Sequence, residues 1–272
     1  MPELPEVALT AIKLNERIGG KKLHQINIKS GRYLKHGKPE GLVELERKFP
    51  CTIEEIDFHG KLLTMKLKDS GGKHWWMWNT FGMSGGWKSK HSKHGHIEFI
   101  TDVGKFYYTD ARNFGTIKFT DSLQKTKDKI ATKGPNHIKD EISDELFKQR
   151  IQMAGNKNIC KVLMDQRYIS GIGNYIKAEV LYRCKISPHR TTDSLTDEEF
   201  SLLNKYTNEV IWGSFYKGGA TLRSYLGLDF DKGNYVFHFK VYGRSKCDNG
   251  HKVIREETPD GRVTHWVKEI QK

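Results

Sequence analysis

The chain has 272 residues, enough for one large domain or two ordinary ones, each with ample core material. Its 46 Lys and Arg against 33 Asp and Glu give a formal net charge of +13. This excess runs along the whole chain and favours a polyanionic partner, because cationic side chains that neutralise phosphates release condensed counterions; a merely solubilising surface is the competing reading. No run approaches the roughly 18 apolar residues of a membrane span, and the first residues carry neither the cationic nor the apolar region of a secretion signal. The four cysteines, Cys51, Cys160, Cys184 and Cys247, contain no C-x-x-C pair and are expected to be reduced thiols of an intracellular protein.

The opening, "MPELPEV", leads a helix over 3–18 with Val7, Ile12 and Leu14 among its apolar positions. Pro2, Glu3 and Glu6 suit a first turn, where a missing N–H is harmless and carboxylates meet the positive end of the helix dipole. They also carry a chemical reading. Removal of Met1 makes Pro2 a free secondary amine with a pKa near ~8, partly unprotonated at neutral pH. Such an amine attacks an electrophilic carbon and forms an iminium ion, with Glu3 beside it as acid or base.

From there to about residue 120, segments such as "QINIKS", "LLTMKL" and "GTIKFT" alternate apolar and polar residues, "WWMW" reads as a short buried run, and glycine-rich turns separate them. This predicts an antiparallel β-sandwich or barrel. Lys61 follows Gly60 at the start of a strand, where a lysine either reaches a phosphate or is simply solvated. The turns "FGMSGG" and "DARNFG" carry Met83, Arg112 and Phe114. An apolar wedge, a guanidinium and an aromatic ring together fill the gap left by an extruded base; singly, each is ordinary turn or core material. "WKSKHSKHGH" (87–96) offers His91, His94 and His96 within a polar loop, and reads as solvated or nucleic-acid-facing rather than as a metal site.

The stretch 121–145 is polar and broken by Gly134–Pro135, which places a domain junction there. Helical periodicity returns over 143–217, with Ser143 and Thr196 as caps and Glu199 at the spacing that completes a capping box with Thr196. In "DQRYISGIGNYIKAEVLYR" (165–183), Gly171 and Gly173 bracket a turn and Asn174 begins a helix with Ile176, Val180 and Cys184 on its buried face. A glycine-flanked helix start offers free N–H groups to a phosphate, although an ordinary helical hairpin has the same pattern. The end reads as strands again, with "TPDG" as a hairpin turn. The expected fold class is α+β: an N-terminal antiparallel β-sandwich with its helix over 1–125, a linker over 126–145, a helix-two-turn-helix domain over 146–232 and a β-hairpin finger over 233–272.

Taken in order, PELPEV, the G-K hairpin, the G-M-S-G turn, the D-x-R-x-F-G turn and D-Q-R-x-x-x-G-I-G-N resemble the formamidopyrimidine-DNA glycosylase/endonuclease VIII (Fpg/Nei) family over nearly the whole chain. The resemblance implies that Met1 is removed and that the Pro2 amine attacks C1′ of a damaged nucleotide. Base loss then leaves a Schiff base that β- and δ-elimination resolve with strand cleavage. It implies Glu3 as the acid/base that assists sugar-ring opening, Glu6 as its support, and Lys61 on a phosphate flanking the lesion. Asn174 grips backbone phosphate, Met83, Arg112 and Phe114 fill the void, and Arg262 is the finger arginine on the phosphate at the lesion. Asn113 departs from the arginine common in Fpg members.

The C-terminus departs from the two C-x-x-C pairs of most bacterial members. Cys247, His251 and His265 fall short of the four ligands of a structural zinc site, so a zincless finger of the Nei-like type is expected, with no metal and no cofactor. The implied activity is a bifunctional DNA glycosylase/AP lyase of base excision repair that removes oxidised pyrimidines, or hydantoins derived from guanine. One alternative is an Fpg-type enzyme acting on 8-oxoguanine and formamidopyrimidines, to which "GGATLRSYLGLDFDKGNY" (218–235) points. Another is a helix-two-turn-helix protein that binds damaged DNA without chemistry, the reading that a retained Met1 favours. The implied partner is double-stranded DNA with oxidised bases or abasic sites, lying across a cationic cleft and bound by a monomer. Activity on single-stranded DNA stays open, as does a nuclear location in a eukaryotic source.

Overall fold

The computed structural model describes residues 2–220 and 233–272. The chain divides into two compact units, Met1–Ala131 with Gly218–Gly233, and Thr132–Lys217 with Asn234–Lys272.

The first unit begins with α1 (Leu4–Ile18), whose Leu4, Val7, Ala8, Ala11, Leu14 and Ile18 repeat at helical spacing and are buried. Ile12 falls off this stripe and is exposed. Eight strands follow, interrupted by the short helices α2 (Arg32–Lys35) and α3 (Leu42–Glu46): β1 (Lys22–Ile28), β2 (Cys51–His59), β3 (Leu62–Lys68), β4 (His74–Thr80), β5 (Gly85–Lys88), β6 (Gly95–Thr101), β7 (Gly104–Asp110) and β8 (Thr116–Thr120). The buried face of α1 packs on β2 and β3, and the backbone N–H of Ile56 donates to Asn15 Oδ1 at 2.8 Å. The strands form one antiparallel sheet in the order β5-β7-β6-β1-β2-β3-β4-β8. "WWMW" is half-buried rather than buried throughout: Trp75 and Met77 point to the core, while Trp76 and Trp78 lie on the other, partly exposed face.

Two short links decide the shape of this sheet. β4 passes to β5 through 81–84, and β7 passes to β8 through 111–115, so each link joins one end of the strand order to the other. The sheet therefore folds over on itself into a sandwich. Trp87 of β5 donates from Nε1 to Asn79 Oδ1 of β4 at 2.9 Å across this seam, and its ring lies 4.7 Å from that of Phe99. The expected boundary at 125 differs from what is observed. α4 (Leu123–Ala131) packs on β4 and β8, with Trp78 Nε1 donating to Thr126 Oγ1 at 3.2 Å, so the first unit runs through part of the expected linker. Gly218–Gly233, expected with the helical domain, groups with the first unit.

The second unit holds α5 (Asp144–Gln152), α6 (Ile159–Met164), α7 (Asn174–Arg183) and α8 (Asp197–Tyr216). Ser143 caps α5 by accepting from the Leu146 N–H, while Thr196 and Glu199 form the capping box of α8. Ile176, Val180 and Cys184 are buried, as the periodicity of α7 requires. The segment after residue 233 departs from the strand reading: Tyr235–His238 is a 3-10 turn. Its aromatics recur at three- and four-residue spacing, and Tyr235, Phe239 and Tyr242 pack successively, with Phe239 5.3 Å from the Tyr175 ring of α7. Packing on a helix overrides local strand propensity here. The finger is the hairpin β9 (Ile254–Thr258) and β10 (Arg262–Trp266), closed by Pro259–Asp260–Gly261 with Gly261 at φ +71°. No helix among the described residues is long and apolar enough to cross a membrane.

Candidate functional site

At the N-terminus, Pro2, Glu3 and Glu6 are all buried. Glu6 reaches back to accept the Glu3 N–H at Oε2 (2.8 Å), one half of a capping box formed by the two carboxylates. Its other oxygen, Oε1, accepts the Ala220 N–H at 2.8 Å. Gly219 brings this backbone in at φ +90°, where a Cβ would stand 3.1 Å from Glu6 Oε1. The opening motif therefore shows Pro2 and Glu3, but the clamp that Gly219–Ala220 places on Glu6 is invisible in it. Carboxylates this buried persist only with such donors.

Lys61 is half-buried at the second position of the two-residue turn Gly60–Lys61, with His59 paired to Leu62 on either side. It stands one position before β3 rather than in it.

Met83 and Arg112 come together. They lie in the two seam-crossing links, and Arg112 Nη1 is 3.1 Å from Met83 Sδ. Phe114 projects from the same turn as Arg112 and is 60% exposed. The links touch backbone to backbone, since a Cβ on Gly82 would lie 2.7 Å from the Gly115 nitrogen. Their organiser is Asp110, the first residue of "DARNFG". Its carboxylate accepts from Ser84 Oγ (2.5 Å), the Arg112 N–H (3.2 Å) and the Gly115 N–H (2.7 Å). Its carbonyl lies 2.8 Å from His96 Nε2, and His96 Nδ1 is 2.8 Å from Ser30 Oγ. His96 is thus a buried strut of the turn, not part of a solvated loop. Asn113 sits at φ +56°, a conformation asparagine tolerates, and its Oδ1 accepts the Arg32 N–H at 3.2 Å.

In the second unit, Gly171 at φ +99° turns the chain into α7. Gln166 holds that turn, accepting from the Gly171 N–H and donating to the Met164 and Ile172 carbonyls. Asn174 opens α7, and its Nδ2 donates to the Val263 carbonyl of β10 at 2.9 Å. The residue expected to grip phosphate is therefore also fastened to the finger. Arg262 is exposed on β10 beside Val263. Cys247 is buried with Ala178, Val241, Val253 and Val267, where it acts as a small apolar side chain, and His251 is exposed. Among the described residues, no group of three or more His, Cys, Asp or Glu is disposed to hold a metal ion. The segment that points to the Fpg-type alternative, 218–235, lies mostly outside the described residues.

A family profile for the formamidopyrimidine-DNA glycosylase N-terminal domain matches residues 1–117, and one for the formamidopyrimidine-DNA glycosylase H2TH domain matches residues 134–225. The formamidopyrimidine-DNA glycosylase of Bacillus licheniformis is 30% identical, with 100% of each chain covered. The crystal structure of the MutM (Fpg) protein of Thermus thermophilus matches with a TM-score of 0.86 at 27% identity, over 99% of this chain and 98% of that one. A Lactococcus lactis Fpg mutant in complex with Fapy-dG-containing DNA matches with a TM-score of 0.85 at 26% identity, over 100% of both chains.

Proposed function

Because the chain belongs to the formamidopyrimidine-DNA glycosylase family, we propose that it is a base-excision DNA glycosylase with AP lyase activity whose nucleophile is the Pro2 amine. The observation that carries this reading is the buried Pro2–Glu3–Glu6 start, with Glu6 tied to the Ala220 N–H. Its partner is double-stranded DNA that carries a lesion.

In the proposed reaction, the Pro2 lone pair forms a bond to C1′ of the damaged nucleotide. The C1′–N bond breaks and the base leaves with that electron pair; the alkylated Pro2 nitrogen gives up its N–H proton, which balances the proton the base gains. Glu3 supplies a proton to the ring oxygen as the sugar opens, which leaves a C1′=N⁺ iminium. Loss of a C2′ proton then expels the 3′ phosphate, and a second elimination expels the 5′ phosphate. Lys61, Asn174 and Arg262 hold phosphates along the strand through charge and amide donors. Met83, Arg112 and Phe114 occupy the space the extruded base leaves.

The substrate reading changes with the relatives. The expectation of oxidised pyrimidines rested on the missing zinc pairs, whereas the relatives and structures named above are formamidopyrimidine enzymes. We therefore assign the purine-derived class, formamidopyrimidines and 8-oxoguanine, in place of the pyrimidine class. The test is a panel of duplexes of one sequence carrying formamidopyrimidine, 8-oxoguanine, an oxidised pyrimidine or an abasic site, incubated with borohydride. Reduction should trap a covalent adduct that maps to Pro2 and is weakened in Pro2→Gly, with the purine lesions cut fastest. An adduct on a lysine rejects the nucleophile assignment; preference for the pyrimidine lesion rejects the substrate class.

A further inference from the structure

The finger turn is fastened to α7 by an ion pair that is out of water on both sides. Lys177 Nζ lies 2.6 Å from Asp260 Oδ2, and the two side chains are 0% and 3% exposed. The second carboxylate oxygen, Oδ1, accepts from Thr258 Oγ1 at 2.6 Å. Thr258 is itself paired across the hairpin with Arg262, and its Oγ1 lies 3.0 Å from the Arg262 carbonyl and 2.9 Å from Thr264 Oγ1. A second tie runs from the same helix, Asn174 Nδ2 to the Val263 carbonyl at 2.9 Å. Residues 174 and 177 share one face of α7, three residues apart, so the helix holds the hairpin at Asp260 and again at Val263. Arg262 lies between those two points.

Such a pair is a weak source of net stability, because desolvation offsets most of the attraction, and hydrophobic replacements are often as stable. Its strength is geometric. A buried ammonium–carboxylate contact tolerates little displacement, since moving either charge away strands both in a low-dielectric interior. The apolar cluster around Cys247 packs the base of the finger but makes no directional bond to its tip. We propose that Lys177 and Asp260 are positioning residues, which set the finger turn so that Arg262 presents its guanidinium at the height of the phosphate it grips. The inference rests on the reading of Arg262 as a phosphate grip.

The experiment compares lesion-duplex affinity, single-turnover cleavage and melting temperature for Arg262→Ala, Lys177→Met and the neutral pair Lys177→Met/Asp260→Asn, together with the triple variant that adds Arg262→Ala to that pair. Arg262→Ala should weaken lesion-duplex binding about tenfold or more, the range of one charge-assisted hydrogen bond. The neutral pair should melt near the wild-type temperature yet lose a comparable factor in affinity, while cleavage at saturating DNA changes little. Lys177→Met alone should melt lower than the neutral pair, because it strands the Asp260 carboxylate. The triple variant should bind no more weakly than Arg262→Ala, because a misplaced arginine and a missing one are equivalent. Multiplying losses would show that the pair acts elsewhere and overturn the inference. So would wild-type affinity in the neutral pair, or a neutral pair that fails to fold. If Arg262→Ala binds as wild type does, the phosphate reading of Arg262 itself falls, an outcome distinct from the other three.

Discussion

At the scale of single residues, His265 is the side chain whose surroundings and chemistry are most at odds. It is buried on β10 against the Tyr242 ring at 4.9 Å, and among the described residues neither ring nitrogen has a hydrogen-bond partner. Burial pushes its pKa down to about 4, with Arg255 of β9 acting in the same direction and Glu179 of α7 opposing it. In the unfolded chain the ordinary value of ~6.5 applies. The folded state therefore binds fewer protons, and stability rises with pH across the interval between the two values. Above about pH 6.5 the contribution is fully present; it is lost as the pH falls toward 4. Melting temperature measured between about pH 7.5 and 4.5 should fall more steeply for the wild type than for His265→Phe, which keeps an aromatic ring and cannot titrate. Equal slopes would show that another group dominates acid unfolding. Glu179 beside it makes the opposite case, a buried carboxylate with abundant donors: the N–H groups of Lys240, Val241 and Tyr242 and the Arg183 guanidinium. Burial alone therefore does not decide what a polar group costs. Its donors do.

Among elements, the paired links of the β-sheet hold the clearest division between what a side chain does and what makes it able to do so. Met83, Arg112 and Phe114 face outward, while Asp110, Ser84 and His96 are buried beneath them. Asp110 accepts from three donors, but the Arg112 N–H also reaches Ser84 Oγ at 3.0 Å, so Asp110→Ala takes the acceptor from the Ser84 hydroxyl and the Gly115 N–H, at about 1–3 kcal/mol for each one orphaned. The expected result is a lower melting temperature and weaker binding to lesion duplex, although none of the three outward side chains has changed. Asp110→Asn should recover part of both, because an amide oxygen still accepts. A variant that melts lower yet binds lesion duplex as tightly as wild type would separate the turn from recognition. The two links also explain why Met83 and Arg112, 29 positions apart in sequence, meet. Both links cross the seam where the sheet closes on itself.

At the scale of the whole molecule, metal dependence is the property most open to a simple test. The finger closes through the Lys177–Asp260 pair, the Asn174 amide and an apolar cluster that consumes Cys247. Exhaustive chelation should leave both thermal melting and strand cleavage unchanged, whereas a zinc-stapled finger would lose folding free energy with its metal. Stoichiometric zinc in elemental analysis of the purified protein would contradict this.

Much of this protein is written locally and was therefore legible from the chain alone. The helix start at Pro2 with its two glutamates, the glycine-bracketed turn into α7, the Thr196–Glu199 box and the period-two strands each depend on residues a few positions apart, and each is seen in the structure. Backbone sterics and caps act over that range, so local sequence is enough to specify them. The 3-10 turn at Tyr235–His238, the helix after residue 122 and the role of His96 were not legible, because packing against distant elements decided them. The partners that complete the candidate site are more remote still. Ala220 meets Glu6 across 214 positions of sequence, and Asp260 meets Lys177 across 83. A carboxylate's pattern in sequence records that it is charged; only the folded chain selects which donor reaches it, since that choice follows from how whole elements pack.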